Sequence, residues 1–592
     1  MRSGLKRFLT AITAFVIFSS ATLAAHADWI DATHLFEAEV KSAIESIGPD
    51  FQPSAITRNR ASAPVERPKV GDIQTFWTKN IVENQFEETR AVLKVIGKHC
   101  YIFLEEHKTL TAEAIEKIRS TFDDTIYPTN TSYFGSEPRP GLDGDDKIFL
   151  LLFDIKDGYN GSGGFVGGYF YALDTYPKEK IPAHLKSNER EILYLDINPA
   201  DPASDRFQNT VAHEFQHMIH FNQDSSEYTW ANEACSQIAP YLCGFGHANQ
   251  VGSFMRTPDN SLTAWAKEQM LANYGQVYLW NYYILNRYLR DDPEARKNFF
   301  RNLVASKKQG VAGYIEALEK FSVGFTSTFD RFCIANFMND QTLGKGEFAY
   351  DKTLARFKLP VSETVAVLPA EIAGEVFLWS ADALKIELGN ARSEIKISFQ
   401  GFMGKMGIDQ YNSFTVALIL QDSTGRRSSE ISYMPIKPLS SKSQGGELVL
   451  MPDAAYDSAM LIVIAQADEE VDDRVYAKAI PMQYSLKISD SGKTVVKDEG
   501  KVEVKTLVAE YSKTSENLPE AGEAGTMIAL SRLEAIRRQL AEEYSRQLED
   551  GQCNLITEID ELVDQGAINH ESVAALIKDL SDVAKFKELT GH

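Results

Sequence analysis

Cysteine is scarce in this chain. Only five occur in 592 residues, Cys100, Cys235, Cys243, Cys333 and Cys553, and no two have C-x-x-C spacing. That excludes a disulfide scaffold and a thiolate-rich metal or redox centre, and the odd count leaves at least one thiol outside any internal pair. Long apolar runs are missing beyond the first two dozen residues, so no later stretch is expected to span a membrane. Positive charge is in deficit, with 61 Lys and Arg against 83 Asp and Glu and a formal net charge of -22. An acidic chain of this kind does not favour nucleic acid or anionic membrane surfaces, and its charge serves solubility. No low-complexity block interrupts a composition of 44% hydrophobic and 24% charged residues, which suffices for buried cores and, at this length, for about three domains.

The one long apolar run, from about Phe8 to Ala24, follows a basic start at Arg2, Lys6 and Arg7 and ends at Ala25-His26-Ala27. Residues 1–27 therefore read as an export signal, with the mature chain expected near Asp28 and an extracellular or periplasmic destination. Residues 28–69 begin with a short helix over Thr33 to Ile47 and end in a polar, proline-bearing stretch from Gln52 to Pro68. They are an N-terminal arm or a propeptide with its linker.

From 70 to 350 the pattern is that of a mixed α+β domain. Strands are expected at Ala91 to Ile96, Tyr101 to Leu104, Ile148 to Phe153, Tyr169 to Leu173 and Ile192 to Asp196, with a helix from Thr111 to Phe122 capped by Thr111. Helices dominate from Asp205 to Met338, including Tyr274 to Tyr288. Short alternating runs between 358 and 490, such as Glu394 to Phe399, Thr415 to Leu420, Leu461 to Ile464 and Tyr484 to Ile488, predict a β-sandwich. Residues 500–592 read as a helical C-terminal region, with Leu530, Leu533, Leu540, Tyr544 and Leu548 along one face.

Within the helical stretch stands His213-Glu214-Phe215-Gln216-His217. Histidines at i and i+4 of a helix project from one face, about 5–6 Å apart at Cβ, close enough to share one ion. Val211, Phe215, Met218 and Ile219 supply the apolar face opposite, and Ser204 or Asp205 can cap the helix start. Glu214, beside the first histidine, is placed to take a proton from a water activated by zinc.

Two histidines leave a catalytic zinc one protein ligand short. The longer pattern with a third histidine is excluded, because position 223 is Gln and position 220 is His. Glu233, in Trp230-Ala231-Asn232-Glu233-Ala234, is the foremost candidate, on a second helix returning after a tight connection. Asp224 and Glu227 are rivals, expected in the connecting turn and pointing outward. His220 is expected to hydrogen-bond near the ligands rather than join them. Tyr228, Tyr274, Tyr278 and His247 are conceivable donors to a developing oxyanion, and none is assigned. Asp143-Gly144-Asp145-Asp146 clusters carboxylates but lacks the calcium-loop pattern; it reads as a turn, and a structural calcium ion is unsupported. The segment Gly161 to Gly168 is a surface loop or a substrate-facing stretch, and no lysine or helix start follows it to make a phosphate loop.

His213-Glu214-Phe215-Gln216-His217-Met218-Ile219 followed by Trp230-Ala231-Asn232-Glu233-Ala234 resembles the gluzincin pattern of the hyicolysin-like neutral zinc metallopeptidases, over roughly residues 70 to 345. Asp143 to Ile148 and Tyr274 to Leu279 are similar too, while His220 departs from the asparagine of the family. The resemblance implies a zincin-like domain, one catalytic zinc ion held by His213, His217 and Glu233, and Glu214 as general base. It also implies an edge strand before the active-site helix that holds an extended substrate, here within Gly167 to Leu173. The function expected is zinc-dependent endopeptidase activity on protein or peptide substrates. Two alternatives stand beside it: a zinc exopeptidase of the same chemistry, and a catalytically silent zinc-containing binding or adhesion protein.

Overall fold

The computed structural model describes residues 29–48, 67–265, 269–388, 394–402, 405–406, 410–422, 428–450, 456–467 and 479–490. The expected export signal, most of the linker, Cys553 and the expected helical region 500–592 lie outside these residues. All of the described residues belong to the first of two compact units, Met1–Lys493.

The first layer is a seven-stranded curled sheet. Its strands are β1 (Trp29–Asp31), β2 (Ile73–Asn80), β3 (Gln85–Ile96), β4 (Cys100–Glu105), β5 (Ile148–Phe153), β6 (Phe165–Phe170) and β7 (Ile192–Asp196), in the order β1-β6-β7-β5-β4-β3-β2. The unbroken apolar run Ile148–Phe153 becomes the central strand, buried at every position because helices or strands cover both faces. β4, β5 and β7 run parallel, and β6 is antiparallel to β7. The expected strand at Tyr169 to Leu173 is shifted to Phe165–Phe170. The chain leaves the sheet early because Asp174 is buried in a short turn, where it accepts the Tyr194 hydroxyl at 2.5 Å and the Asn188 N–H at 2.5 Å.

Seven helices matter for the site. They are α1 (Thr33–Ile47), α2 (Ala112–Thr121), α3 (Tyr127–Phe134), α4 (Asp205–Gln223), α5 (Thr229–Leu242), α6 (Val251–Arg256) and α7 (Met270–Tyr288). Thr111 caps α2 by accepting the Ala114 N–H at 3.2 Å, and Ser204, not Asp205, caps α4 through the Phe207 N–H at 3.1 Å. α7 is buried along most of its length, with Tyr274, Tyr278, Trp280 and Tyr283 fully enclosed. No helix among the described residues is long and apolar enough to cross a membrane.

Beyond residue 360 lie two further sheets, one of six strands and one of five, built from the alternating runs of the sequence. Phe399 of the five-stranded sheet meets Phe414 of the six-stranded one edge to face, ring centroids 5.3 Å apart. Among the described residues, Cys100, Cys235, Cys243 and Cys333 are all unpaired thiols.

Candidate metal centre

The helix carrying the histidines is core on all sides. Val211, Phe215, Met218 and Ile219 are buried as their spacing requires, but His213, Glu214 and His217 are equally enclosed. The open ligand-bearing face expected from the sequence is covered, and the cover is the N-terminal segment β1–α1, whose pairing with β6 no local pattern announces.

Asp224-Ser225-Ser226-Glu227-Tyr228 turns the chain from α4 into α5, and the second helix brings Glu233 back over the histidines. His213 Nε2 and His217 Nε2 stand 3.0 Å apart, and Glu233 Oε2 lies 3.3 Å from the first and 3.5 Å from the second. Bonds of about 2.0–2.1 Å at tetrahedral angles set neighbouring ligand atoms about 3.3 Å apart. The three atoms fit that spacing. Neither Glu233 oxygen has a hydrogen-bond partner despite full burial, so its lone pairs face the same point as the imidazole nitrogens without being satisfied by them. His213, His217 and Glu233 form one group able to hold an ion, and Asp31, His213 and Glu214 form another.

The surroundings orient these donors. His217 Nδ1 lies 3.0 Å from Asn232 Oδ1, a carbonyl-type acceptor, and 3.0 Å from Ser236 Oγ. With the proton held on Nδ1 toward Asn232, the Nε2 lone pair is free for a metal. Gln216, inside the motif, accepts from the Ser236 hydroxyl, so one serine ties the two helices together. His220 sits 3.5 Å from Gln216 through Nδ1. Burial, with His217 adding to it, lowers His220 to about 3 and keeps it neutral.

Electrostatics favour a cation here. Burial raises Glu214 to about 7, and Asp31 adds to that shift against the opposing pull of the two histidines. Burial works to lower His213, yet Asp31, Glu233 and Glu214 carry it up to about 9. Burial also opposes a charged Glu233, but His217, His213 and His34 hold its carboxyl well below the usual range. Three carboxylates and two imidazoles closed off from water are short of positive charge, which a divalent ion would supply.

Other residues weighed from the sequence fall elsewhere. Asp224 and Glu227 occupy the turn as expected but are buried rather than outward-facing, since Glu227 accepts the N–H groups of Tyr228 at 2.6 Å and Gly310 at 2.7 Å. His247 and Tyr278 bond each other at 2.6 Å, and His247 also meets Thr353 at 2.8 Å. Tyr274, one of the four oxyanion candidates, packs against a ligand ring, 6.3 Å from His213 between centroids. The glycine segment divides: Gly161 and Gly163 take positive φ in open surroundings, while Gly167 and Gly168 lie in β6. A Cβ on Gly168 would meet the Tyr194 carbonyl at 2.8 Å and Thr210 at 2.7 Å, so only glycine lets β6 pass this close to α4.

Asp31, Thr33, His34, Asn232 and Ser236 were not singled out by sequence reasoning. Asn232 and Ser236 were findable, because side chains at i−1 and i+3 of a ligand on a returning helix face its partner helix. The N-terminal residues carried no such signal.

Two imidazoles and a carboxylate converging on one point, with a second carboxylate alongside, form a donor set suited to a divalent ion in hydrolytic chemistry. No protein-family model matches the chain. It is similar to a protein of that chemical class, neutral metalloprotease ShpI of Staphylococcus hyicus, at 26% identity over 276 residues. The matched span is 42% of this chain and 58% of the relative, so the chain covers less than two thirds of the relative's length.

Proposed function

We propose that this chain is an exported, zinc-dependent endopeptidase of the hyicolysin-like gluzincin type. Its zincin-like catalytic domain spans residues 70–350, and the β-sandwich (358–490) and helical C-terminal region (500–592) are accessory. His213, His217 and Glu233 are its metal ligands and Glu214 its general base. The observation that carries this reading is the meeting of three ligand atoms at 3.0, 3.3 and 3.5 Å, with the Glu214 carboxylate next to them and both buried Glu233 oxygens without a hydrogen-bond partner. Likeness to a neutral metalloprotease supports the same class.

Bound zinc supplies a Lewis acid that acidifies water and polarises a carbonyl. The rest falls to the chain. β6 offers its backbone to an extended peptide, with the glycine at 167 allowing close approach. Glu214 accepts the proton of the attacking water and passes it to the nitrogen of the departing amine. Its raised proton affinity suits both halves of that task, because a carboxylate near neutrality can take and return a proton. α4 and α5 hold the ligands on rigid elements.

The test combines metal analysis with digestion of a generic unfolded protein by the full chain after limited trypsin treatment within residues 49–66, which contain Arg58 and Arg60. The treated wild type is expected to hold one zinc and to cleave; Glu214→Gln is expected to hold zinc and lose at least a thousandfold in rate. A zinc-loaded, trypsin-treated wild type that cleaves nothing sinks the proposal.

A further inference from the structure

Residues 29–47 lie where a peptide bound to this site would lie. β1 pairs in parallel with β6, on the side opposite β7, with Trp29 opposite Phe165 and Asp31 opposite Gly168, and the Ala32 N–H donates to the Gly168 carbonyl at 2.9 Å. Gly167 makes room for this strand: a Cβ there would fall 1.6 Å from the Trp29 indole nitrogen. The edge that would receive substrate is thus filled by the chain's own N-terminal segment.

Successive residues of that segment then meet successive working parts of the site. Asp31 is buried, its Oδ2 is 3.8 Å from His213 Nε2, and its Oδ1 has no hydrogen-bond partner. Its backbone carbonyl accepts the Tyr274 hydroxyl at 2.8 Å. The Thr33 hydroxyl donates to Glu214 Oε2 at 2.6 Å and accepts the Phe170 N–H at 2.8 Å. His34 Nδ1 stands 3.5 Å from Glu233 Oε1. α1 is anchored beyond, with Phe36 edge-on to Tyr169 at 5.1 Å and Glu39 gripped by Lys79 and Tyr171. Cavities of about 50 Å³, bordered by Thr33 and His217, and about 40 Å³, bordered by Asp31 and His213, flank the segment on its two sides.

We infer that residues 29–47 are a built-in inhibitor of this site, in which Asp31 supplies the fourth ligand to the metal where water would otherwise bind and Thr33 occupies the Glu214 carboxylate. The inference rests on the zinc-peptidase reading above. Three protein ligands leave a tetrahedral ion one position, and a buried carboxylate 3.8 Å from His213 Nε2, with one oxygen left unpartnered, can compete for it. The segment offers a side-chain carboxylate, not a peptide carbonyl, to that position, so it blocks the site without being a substrate for it. The base is meanwhile hydrogen-bonded on one oxygen, and Tyr274 is turned to the segment's backbone.

Cobalt-substituted full-length protein tests the ligand directly, since its visible spectrum reports coordination whether or not the protein is active. Asp31→Ala is expected to retain the metal and change the spectrum toward that of a water-bound ion. Its activity on an unfolded protein should rise at least tenfold over untreated wild type, approaching that of wild type cut within residues 49–66. Thr33→Val, which keeps Asp31, should leave the spectrum nearly unchanged and raise activity less. A synthetic peptide of residues 29–47 should inhibit the cut enzyme, and the same peptide carrying Asp31→Ala should fail to, which decides the matter if the full-length variant does not fold. An unchanged cobalt spectrum in Asp31→Ala, or uncut wild type as active as cut, overturns the inference while leaving the peptidase reading intact. A cut, zinc-loaded chain without activity overturns the peptidase reading, while the spectrum still settles Asp31. A chain that holds no metal overturns both.

Discussion

Asn232 Oδ1 lies 3.0 Å from His217 Nδ1, so the residue immediately before one proposed ligand fixes the tautomer of another. Partners of this kind are worth about 10–100-fold in metal affinity. Asn232→Ala is expected to weaken zinc binding within that range, measured by competition with a chromogenic chelator, and Asn232→Asp to retain most of it. Equal affinity in wild type and Asn232→Ala would show that Ser236, also 3.0 Å from Nδ1, orients the ring alone.

Removal of the metal should cost stability. A ligand that binds only the folded state contributes about 4 kcal/mol when present at a thousand times its dissociation constant. Chelation is therefore expected to lower the thermal midpoint of the wild type by several degrees, with recovery on adding zinc. In His213→Ala and His217→Ala neither chelator nor zinc should move the midpoint. A wild-type melt indifferent to chelator would speak against an ion at this position.

The glycine at 168 is expected to be irreplaceable for packing. Gly168→Val forces β-branched atoms against the Tyr194 carbonyl and Thr210, neither of which can retreat without moving β7 or α4. A destabilisation of roughly 1–3 kcal/mol is expected from such overpacking, read by denaturant melts. Gly167→Ala differs, because the atoms nearest its new methyl belong to the Trp29 indole. It should leave the global melt nearly unchanged and speed hydrogen exchange across 29–47.

Glu191 gives a pH dependence of definite sign. Burial, reinforced by Asp143, raises its carboxyl from an ordinary 4.5 to about 8, against a 3.2 Å hydrogen bond from the Leu142 N–H. Between those values the folded chain keeps a proton that the unfolded chain releases. The stabilising contribution is therefore complete below about pH 4.5 and lost as pH rises through about 8. Glu191→Gln stays neutral throughout, so its stability relative to wild type should climb by an amount on the order of a few kcal/mol between pH 5 and 9. A constant difference across that range would show that Glu191 is ionised in the folded protein.

Much of the site was legible because its determinants are local. The i, i+4 histidines, the apolar stripe from Val211 to Ile219 and a capping Ser204 all lie within one helix, whose period is written in the sequence. Glu233 needed only one further step, a short turn and a second helix. The strands after residue 360 were legible for a similar reason, since alternation marks Ile395–Phe402 and an unbroken apolar run marks Ser458–Ala467, though the observed strands run longer than their apolar centres. β1 was not legible. Three residues, Trp-Ile-Asp, carry no periodicity, and their pairing joins positions more than 130 apart in the chain. The helix at Thr33–Ile47 was foreseeable as a helix but its place was not, because Phe36, Val40 and Ala43 show an apolar stripe without naming what it packs on. Asp224 and Glu227 were misplaced for the opposite reason: turn residues are usually exposed, and here Gly310 from a distant helix start covers one of them.

The tether between residues 47 and 67 has a consequence of its own. A segment that remains covalently joined to its own chain meets its site at an effective concentration of up to about millimolar. Even a modest intrinsic affinity, with a dissociation constant of roughly 10 μM, would then keep about 99% of molecules closed. The same segment, once severed, is present only at the concentration of the protein itself and drifts away on dilution. Thr33 and Glu214 are 181 positions apart, so this contact is held through the tertiary fold and not through any local element. One backbone cut between residues 48 and 67 would turn a saturating intramolecular ligand into a dilute one.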